Sequence, residues 1–335
     1  MAPLPTRGPG GSAAARAMLC AALAWTCCVA APARAGQYPE RPVRIVVPVA
    51  AGGNQDLVIR AVAQKLSEQM EQPFIVENRP SASGLVGTAY VAKEAADGYT
   101  LLSVSNTFVT APGTVKAAAY DPVKDFTGVS VVASLPLVIL AHPSMRVETV
   151  QDLIDLARKR PGELTYGSAG TGSNSHMAMA LFNLQAGIRM SHVPYKGNAM
   201  AVNDLLGGHI GFVPDTISTS LPYIRTGKVK AIAVTSAKRA ANLQDVPTVA
   251  ESGMPGYELV VFNAVMAPAG VPPAILRRLQ SEIAKAVASP ELRAQFASQG
   301  VELAASASPE ECTAFIKREF EKYTRILDAA GIKPE

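Results

Sequence analysis

Two glycine-rich segments, residues 50–56 (AAGGNQD) and 167–174 (GSAGTGSN), have the composition of anion-binding loops. Each follows a predicted strand and precedes a predicted helix. The first turn of a helix has backbone N–H groups without intrahelical acceptors, at the positive end of the helix dipole. Such a turn binds carboxylate or phosphate, and Ser168, Thr171 and Ser173 add hydroxyl donors to the second segment. The alternative is that the glycines only make tight turns and the hydroxyls only cap helices.

Motifs of the common enzyme classes are absent from the sequence. Residues 170–172 do not begin a dinucleotide fingerprint, because Ser175 stands where that motif requires glycine. No Gly-Lys-Ser/Thr phosphate loop occurs, and neither Ser168 nor Ser173 has the flanking glycines of a nucleophile elbow. The histidines lack close metal-ligand spacing and are interpreted as structural; they are His142, His176, His192 and His209. We therefore predict no catalytic residue, no metal site and no cofactor.

Three further residues each have two interpretations. Asp56 either orients a polar ligand group or caps the helix that follows it. Asp215, after the apolar residues 210–213, either contacts a ligand or ends a strand. Phe262 either stacks on a ligand or fills the core, and the core is favoured because phenylalanine is usually buried.

Alternating strands and helices must position these segments. Short apolar runs predict strands at residues 42–49, 74–76, 101–104, 137–141, 164–166, 192–194, 210–213 and 229–235. Amphipathic spacing and capping residues predict helices after residue 54 and at residues 84–96, 149–160, 174–185, 199–206, 272–288 and 308–328. This alternation predicts an α/β fold with mostly parallel sheets, which bind ligands beyond the carboxyl ends of their strands.

The first 35 residues predict a secretory signal peptide. They contain arginines but no acidic residue, then an apolar run from Met18 to Ala31, then Ala33-Arg34-Ala35 as a cleavage motif. The run is about 14 residues, which is short for a bilayer span. We predict cleavage after Ala35, without a lipoprotein anchor, and export to the periplasm. The alternative is a membrane anchor or a buried helix.

Charge and cysteine content argue against nucleic-acid binding and against an internal disulfide in the mature chain. The sequence has 31 basic and 27 acidic residues, and three of the arginines lie in the signal. The mature chain is therefore close to neutral, and no nucleic-acid-binding patch is implied. Cys312 is the only cysteine beyond the signal, so no internal disulfide is expected and its thiol is expected to be buried and inert.

The mature chain resembles the extracytoplasmic receptors of tripartite tricarboxylate transporters, the Bug family. The motifs that carry the resemblance occur in order and at family spacing along nearly the whole mature chain. They are Tyr38-Pro39 through Pro48 with Gly52-Gly53 and Asp56, Val76-Glu77-Asn78-Arg79-Pro80, Asp97-Gly98-Tyr99-Thr100-Leu101, Tyr120-Asp121-Pro122, Asp125-Phe126, Tyr166-Gly167-Ser168-Ala169-Gly170, His192-Val193-Pro194-Tyr195-Lys196-Gly197 and Val246-Pro247-Thr248.

The resemblance implies a periplasmic-binding-protein fold of type II, a Venus flytrap with a cleft between two α/β domains joined by two crossing strands. We expect domain 1 to comprise residues 36–136 and 260–335, and domain 2 to be inserted as residues 137–259. The implied ligand is a small carboxylate, namely a di- or tricarboxylate, an acidic amino acid or an aromatic acid. The implied partner is a two-component membrane permease, and the default state is a monomer. The binding residues carried over by position are Gly52, Gly53, Asn54, Asp56, Ser168, Ala169, Thr171, Gly172 and Ser173, with Asp215 as a weaker candidate.

The sequence departs from the family pattern at a few positions. Val49 replaces a common phenylalanine, Ser81 and Ser83 replace glycines, and Phe262 replaces a usual tryptophan. These departures leave the identity of the carboxylate open. Two other functions are also left open: a periplasmic sensor that presents ligand to a signalling kinase, and a periplasmic hydrolase, which the missing nucleophile–base motif disfavours.

Overall fold

The computed structural model describes residues 38–297 and 299–334, together with Ala2. The predicted signal peptide and its cleavage site after Ala35 lie outside the described residues. The compact unit that begins at Pro39 contains every helix and strand named below.

The strands are short except for two that run through the middle of the sheet. In chain order they are β1 (Val43–Val47), β2 (Phe74–Asn78), β3 (Thr100–Val104), β4 (Phe126–Ala141), β5 (Thr165–Ser168), β6 (Ser191–Pro194), β7 (Phe212–Thr216), β8 (Lys230–Val234), β9 (Val260–Pro268) and β10 (Glu302–Leu303). Their apolar, β-branched content is typical of strands that are covered on both faces.

The helices lie between the strands and after β9. In chain order they are α1 (Asn54–Met70), α2 (Leu85–Val91), α3 (Asn106–Thr114), α4 (Val150–Lys159), α5 (Asn174–Ala186), α6 (Asn198–Leu206), α7 (Ile217–Arg225), α8 (Pro273–Val287), α9 (Pro290–Ala297) and α10 (Pro309–Ala329). No helix of the described residues is long and apolar enough to cross a membrane.

The strands that precede the two glycine loops pair in parallel, each within its own half of the sheet. In one half β1 pairs with β2 and β3, so that Ile45 lies opposite Val76 and Leu101. In the other half β5 pairs with β6 and β7. Loops at the carboxyl ends of parallel strands share one edge of their sheet, which is where α/β folds bind ligands.

The long strand β4 connects the two halves. It pairs antiparallel with β9 from Phe126 to Pro136, and its remaining residues, 137–141, pair with β7 and β8. The sequence predicted only residues 137–141 of β4, and it did not predict β9 or this antiparallel pairing. The expected α/β fold is otherwise confirmed.

Helix packing follows the predicted apolar spacing. On α1, the side chains of Val58, Val62 and Leu66 are at most 1% exposed. The predicted caps of α4 and α10 are present: Thr149 accepts from the Asp152 N–H in a capping box, and Ser308 accepts from the Glu311 N–H. The helix predicted over residues 84–96 is shorter than expected, because α2 ends at Val91.

Two residues of interest lie in the core. Phe262 is fully buried in β9 and meets Phe315 edge to face, at 5.1 Å between ring centroids, so it fills the core rather than lining an exposed site. Cys312 is also fully buried, and burial raises the pKa of its thiol to about 12. The thiol is therefore protonated and unreactive at neutral pH, as predicted.

Candidate functional site

The first loop lies between β1 and α1 and leaves the start of the helix open. Gly53 is the N-cap residue of α1, with extended backbone (φ −74°, ψ 164°) and no side-chain cap. The N–H groups of Gly53, Asn54 and Gln55 have no hydrogen-bond acceptor among the described residues. Unpaired N–H groups and the helix dipole both favour negative charge, so this turn is suited to a carboxylate or phosphate.

Asp56, the third residue of α1, is buried and holds this loop in place. Its carboxylate accepts hydrogen bonds from the Gly52 N–H at 2.9 Å, from Arg60 Nε at 3.0 Å and from Asn78 Nδ2 at 2.8 Å. Burial opposes ionisation, but the hydrogen bonds from Arg60, Gly52 and Asn78 outweigh it and hold the pKa of Asp56 below its usual value. Because both oxygens are engaged by the protein, the geometry favours a positioning role over direct ligand contact.

The segment in which serines replace the family's glycines packs beneath the start of this loop. A Cβ added at Gly84 or Gly87 would lie 3.1 or 3.0 Å from the Cβ of Pro48, so both positions require close approach. Ser81 accepts a hydrogen bond from the Val86 N–H at 3.0 Å, and Ser83 has a positive φ of 53°. The contacts of Ser81 therefore stabilise the turn before α2.

The second loop, between β5 and α5, satisfies most of its own hydrogen-bond donors. Ser173 is the N-cap residue of α5; its hydroxyl accepts from the His176 N–H at 3.3 Å and donates to the Gly170 carbonyl at 2.6 Å. The N–H of Ala169 donates to Ser175 Oγ, and that of Gly170 donates to Ser168 Oγ. Ser173 thus has the capping role that the sequence analysis gave as the alternative to ligand binding, and ligand binding by Ser173 stays a prediction.

Behind the second loop lies a stack of three rings that the sequence analysis did not identify. His176 and His192 are nearly parallel, with centroids 3.9 Å apart, and Tyr166 stacks on His192 at 5.1 Å. His176 Nδ1 accepts a hydrogen bond from the Gly172 N–H at 3.0 Å. Burial, with His192 as a smaller cause, lowers the pKa of His176 to about 4, and burial also lowers the pKa of His192.

The structure brings a serine and a histidine into hydrogen-bond contact, which the sequence did not predict. Ser168 Oγ lies 2.6 Å from His192 Nε2. This pair lacks the access of a hydrolytic nucleophile, because Ser168 is 0% exposed and its hydroxyl also accepts the Gly170 N–H. Among the described residues, no group of three His, Cys, Asp or Glu side chains is placed to hold a metal ion.

Asp215 lies near the end of β7, on the edge from which the second loop leaves. Its carboxylate accepts hydrogen bonds from Asn198 Nδ2 at 2.6 Å, Thr219 Oγ1 at 2.6 Å and Ser220 Oγ at 2.8 Å. It is 5% exposed, so it is a buried carboxylate stabilised by neutral donors. This arrangement ties the starts of α6 and α7 to the end of β7.

The predicted residues therefore form two groups. Gly52, Gly53, Asn54 and Asp56 lie together at the carboxyl edge of β1, while the residues from Ser168 to Ser173 lie at the carboxyl edge of β5, close to Asp215. No hydrogen bond among the described residues joins the first loop to the second. A pocket of about 650 Å³ opens beside the second loop and is lined by Thr171, Tyr166, His176, Asn183, Arg189 and His192.

Sequence comparison identifies relatives that span almost the whole chain. A family model described as the tripartite tricarboxylate transporter family receptor (TctC) matches residues 58–332. BugT of Bordetella pertussis is 36% identical over 307 residues, which cover 91% of this chain and 94% of BugT. The first loop lies just before the segment matched by the family model.

Two solved structures extend the comparison to the fold, and each contains a ligand. Rpa4515 of R. palustris with adipate is 35% identical, with a TM-score of 0.70 and coverage of 89% of this chain and 100% of that one. MatC from Rhodopseudomonas palustris with bound malate is 27% identical, with a TM-score of 0.67 and coverage of 87% and 100%. The match of the family model to most of the chain, together with these relatives, shows that the protein belongs to the tripartite tricarboxylate transporter (Bug) family of solute-binding receptors.

Proposed function

We propose that this protein is a periplasmic receptor that captures a small carboxylate between two domains and delivers it to the membrane permease of a tripartite tricarboxylate transporter. The single observation that carries the proposal is the open N-terminus of α1. The N–H groups of Gly53, Asn54 and Gln55 have no acceptor among the described residues, in a loop that Asp56 holds in position. A carboxylate supplies both the acceptors and the negative charge that this turn favours.

The chemistry of the relatives supports the same class of ligand. Both solved neighbours named above are described with dicarboxylates, adipate in one and malate in the other. A dicarboxylate has a second charged end for the Thr171 hydroxyl of the second loop, since the Ser173 hydroxyl already donates to the Gly170 carbonyl. Contacts to both loops are available only when the two halves of the sheet approach, so the ligand favours the closed form.

The proposed domains follow the path of β4 and β9. Domain 1 comprises residues 36–136 and 260–335, and domain 2 comprises residues 137–259. Pro136 and Val260, which pair with each other, lie at the proposed boundary. Bending there would move the first loop relative to the second without disturbing the parallel strands of either half.

The binding test uses the mature chain, residues 36–335, freed of bound solute by unfolding and refolding. Thermal shifts are recorded with succinate, malate, adipate, citrate, aspartate and benzoate. A ligand present at about 100 times its Kd stabilises the folded state by about 2.7 kcal/mol, so one class should raise the melting temperature clearly. A flat response across the panel, from protein whose circular dichroism shows refolding, contradicts the proposal.

A substitution at the N-cap of α1 tests whether the first loop binds the ligand. Gly53→Asp places a carboxylate on the open turn; the position tolerates a side chain, because the nearest atom to an added Cβ is 3.9 Å away. Aspartate is a good N-cap residue, so the melting temperature of the unliganded protein should not fall, while the ligand-induced shift should disappear. A variant that still binds as tightly as the native protein would remove the first loop from the site.

Transport is tested separately in cells. A strain lacking the gene should lose uptake of the labelled carboxylate, and the native gene should restore it whereas the Gly53→Asp gene should not. Unchanged uptake in the deletion strain, together with a lost transcriptional response to the carboxylate, would instead indicate a sensor.

A further inference from the structure

His176 contacts the second loop from the wall of the pocket, where its side chain is almost fully buried. It is the third residue of α5, is 5% exposed, and lies in the ring stack between the helix and β6. The titratable or charged groups that face it are His192 on β6, Tyr166 on β5 and Arg189, which lines the same pocket. None of these groups is negatively charged at neutral pH, so nothing in the stack favours a charged imidazolium.

The hydrogen bond from the Gly172 N–H determines the tautomer of the His176 ring. An amide N–H is only a donor, so the Nδ1 that receives the Gly172 N–H has no proton, and the neutral ring has its proton on Nε2. Position 172 requires glycine, because its φ is +76° and an added Cβ would lie 3.2 Å from Thr114 Cγ2. The loop is thus held between the methyl group of Thr114 and the ring of His176.

We propose that His176 is a positioning residue of the solute site: it holds Gly172 so that Thr171 and the first turn of α5 face the captured carboxylate. The inference rests on the proposed function, since it assigns a role within the same site. The group that performs this role is the hydrogen-bond acceptor Nδ1 of His176. A histidine that only filled space would be replaceable by any side chain of similar shape.

Two isosteric substitutions separate these roles. His176→Asn retains an acceptor close to the position of Nδ1, whereas His176→Leu has nearly the same shape as asparagine without an acceptor. Both lose the ring stack equally. Affinity for the carboxylate found in the panel is measured by titration calorimetry at pH 7.5, with circular dichroism and melting temperature as checks of folding.

The asparagine variant should bind within about threefold of the native protein. The leucine variant should bind about tenfold more weakly, because loss of one buried hydrogen bond is an effect of that size. Equal affinities for the two variants, at whatever level, would overturn the positioning role. Failure of the native protein to bind any carboxylate is a different result, which contradicts the proposed function.

A third variant covers the case in which leucine prevents folding. His176→Phe keeps an aromatic ring against His192 but has no acceptor, so it should fold and should bind about tenfold more weakly than the native protein. A phenylalanine variant with native affinity would overturn the inference even if the leucine variant never folds.

Discussion

The two glycine loops share one backbone hydrogen-bond arrangement and differ in the N-cap of the helix that follows. In each, a glycine with positive φ lies just before the N-cap and donates its N–H to the third helical residue: Gly52 (φ 89°) to Asp56 at 2.9 Å, and Gly172 (φ 76°) to His176 at 3.0 Å. The spacing of four residues is the same. Each loop is therefore held by a side chain from the first turn of the helix that follows it.

The difference lies in the cap and in the charge of the acceptor. The N-cap of α1 is glycine without a side-chain bond, and its acceptor is an ionised carboxylate paired with Arg60. The N-cap of α5 is Ser173, which bonds the His176 N–H, and its acceptor is a neutral imidazole. The first loop leaves its whole helix end open to an anion, whereas in the second loop Ser173 caps the His176 N–H, and among the described residues only the N–H groups of Asn174 and Ser175 in that turn have no acceptor. We infer that the first loop supplies most of the charge recognition and the second adjusts specificity.

Removing the acceptor of the first loop should have the largest effect. Asp56→Ala deletes a buried carboxylate that accepts from the Gly52 N–H and is one of the partners of Asn78 and Arg60, which should reduce the free energy of unfolding by about 4 kcal/mol. Urea denaturation of the mature chain measures this. Asp56→Asn keeps one acceptor oxygen and should lose about half as much; equal losses would mean that the charge of Asp56 contributes all of the effect.

Acid should weaken the two loops at different pH values. The folded-state pKa of His176 is about 4, below its ordinary value of 6.5, so the unfolded chain binds the proton more readily in that window. The contribution of His176 to stability should therefore fall by about 3 kcal/mol as the pH drops from 6.5 to 4. The pKa of Asp56 is lowered from 3.8, so its contribution is present above 3.8 and is lost only at lower pH.

The measurement is urea denaturation across this pH range, with His176→Asn as the control. Asparagine does not titrate, so the variant should lack most of the slope between pH 6.5 and 4 and keep the fall at lower pH. A native slope in the variant would assign the transition to another group, with His192 as the first candidate because burial also lowers its pKa.

The sequence revealed local features of the fold and missed those that depend on distant partners. The apolar face of α1 and the caps of α4 and α10 are set within a few residues, and all were predicted. The first part of β4 and all of β9 were missed, since they are recognisable mainly by their pairing with each other across more than a hundred residues. Pro136 in β4 and Pro112 in α3 also weaken the local patterns.

The same limit applies to the candidate site. Both loops were found from glycine content and position, which are local. The partners that hold them were not found, because Asn78 reaches Asp56 from the next strand and His192 reaches Ser168 from β6. The repeated spacing from Gly52 to Asp56 and from Gly172 to His176 was the one local signal available, and its meaning depends on a hydrogen bond that only the structure reveals.

Alanine substitution at the two matched glycines should separate the loops by their surroundings. Both have positive φ, which costs a side chain roughly 1 kcal/mol. An added Cβ at Gly52 meets nothing within 4 Å, whereas one at Gly172 lies 3.2 Å from Thr114 Cγ2. Gly52→Ala should therefore lower stability by about 1 kcal/mol and Gly172→Ala by about 2 kcal/mol.

Thr114→Ser tests the cause of that difference. It removes the Cγ2 methyl and keeps the hydroxyl that donates to the Thr110 carbonyl. Combined with Gly172→Ala, it should bring the loss close to that of Gly52→Ala in thermal denaturation. A double variant no more stable than Gly172→Ala alone would show that backbone strain, not the methyl contact, sets the cost.

Exchanging the caps should produce the smallest change in stability and the sharpest test of the comparison. Gly53→Ser gives the first loop the cap of the second, and Ser173→Gly removes it there. Serine exceeds glycine as an N-cap by only a few tenths of a kcal/mol, so the first variant should be slightly more stable and the second slightly less.

Ligand affinity should fall in the Gly53→Ser variant although its stability rises. The serine hydroxyl accepts an N–H that the carboxylate otherwise receives, so binding should weaken about threefold. At the second loop, affinity should change less, since the N–H groups of Ala169 and Gly170 are already engaged within the loop. Calorimetric titration of both variants measures this, and weaker binding by Ser173→Gly than by Gly53→Ser would reverse the roles assigned to the two loops.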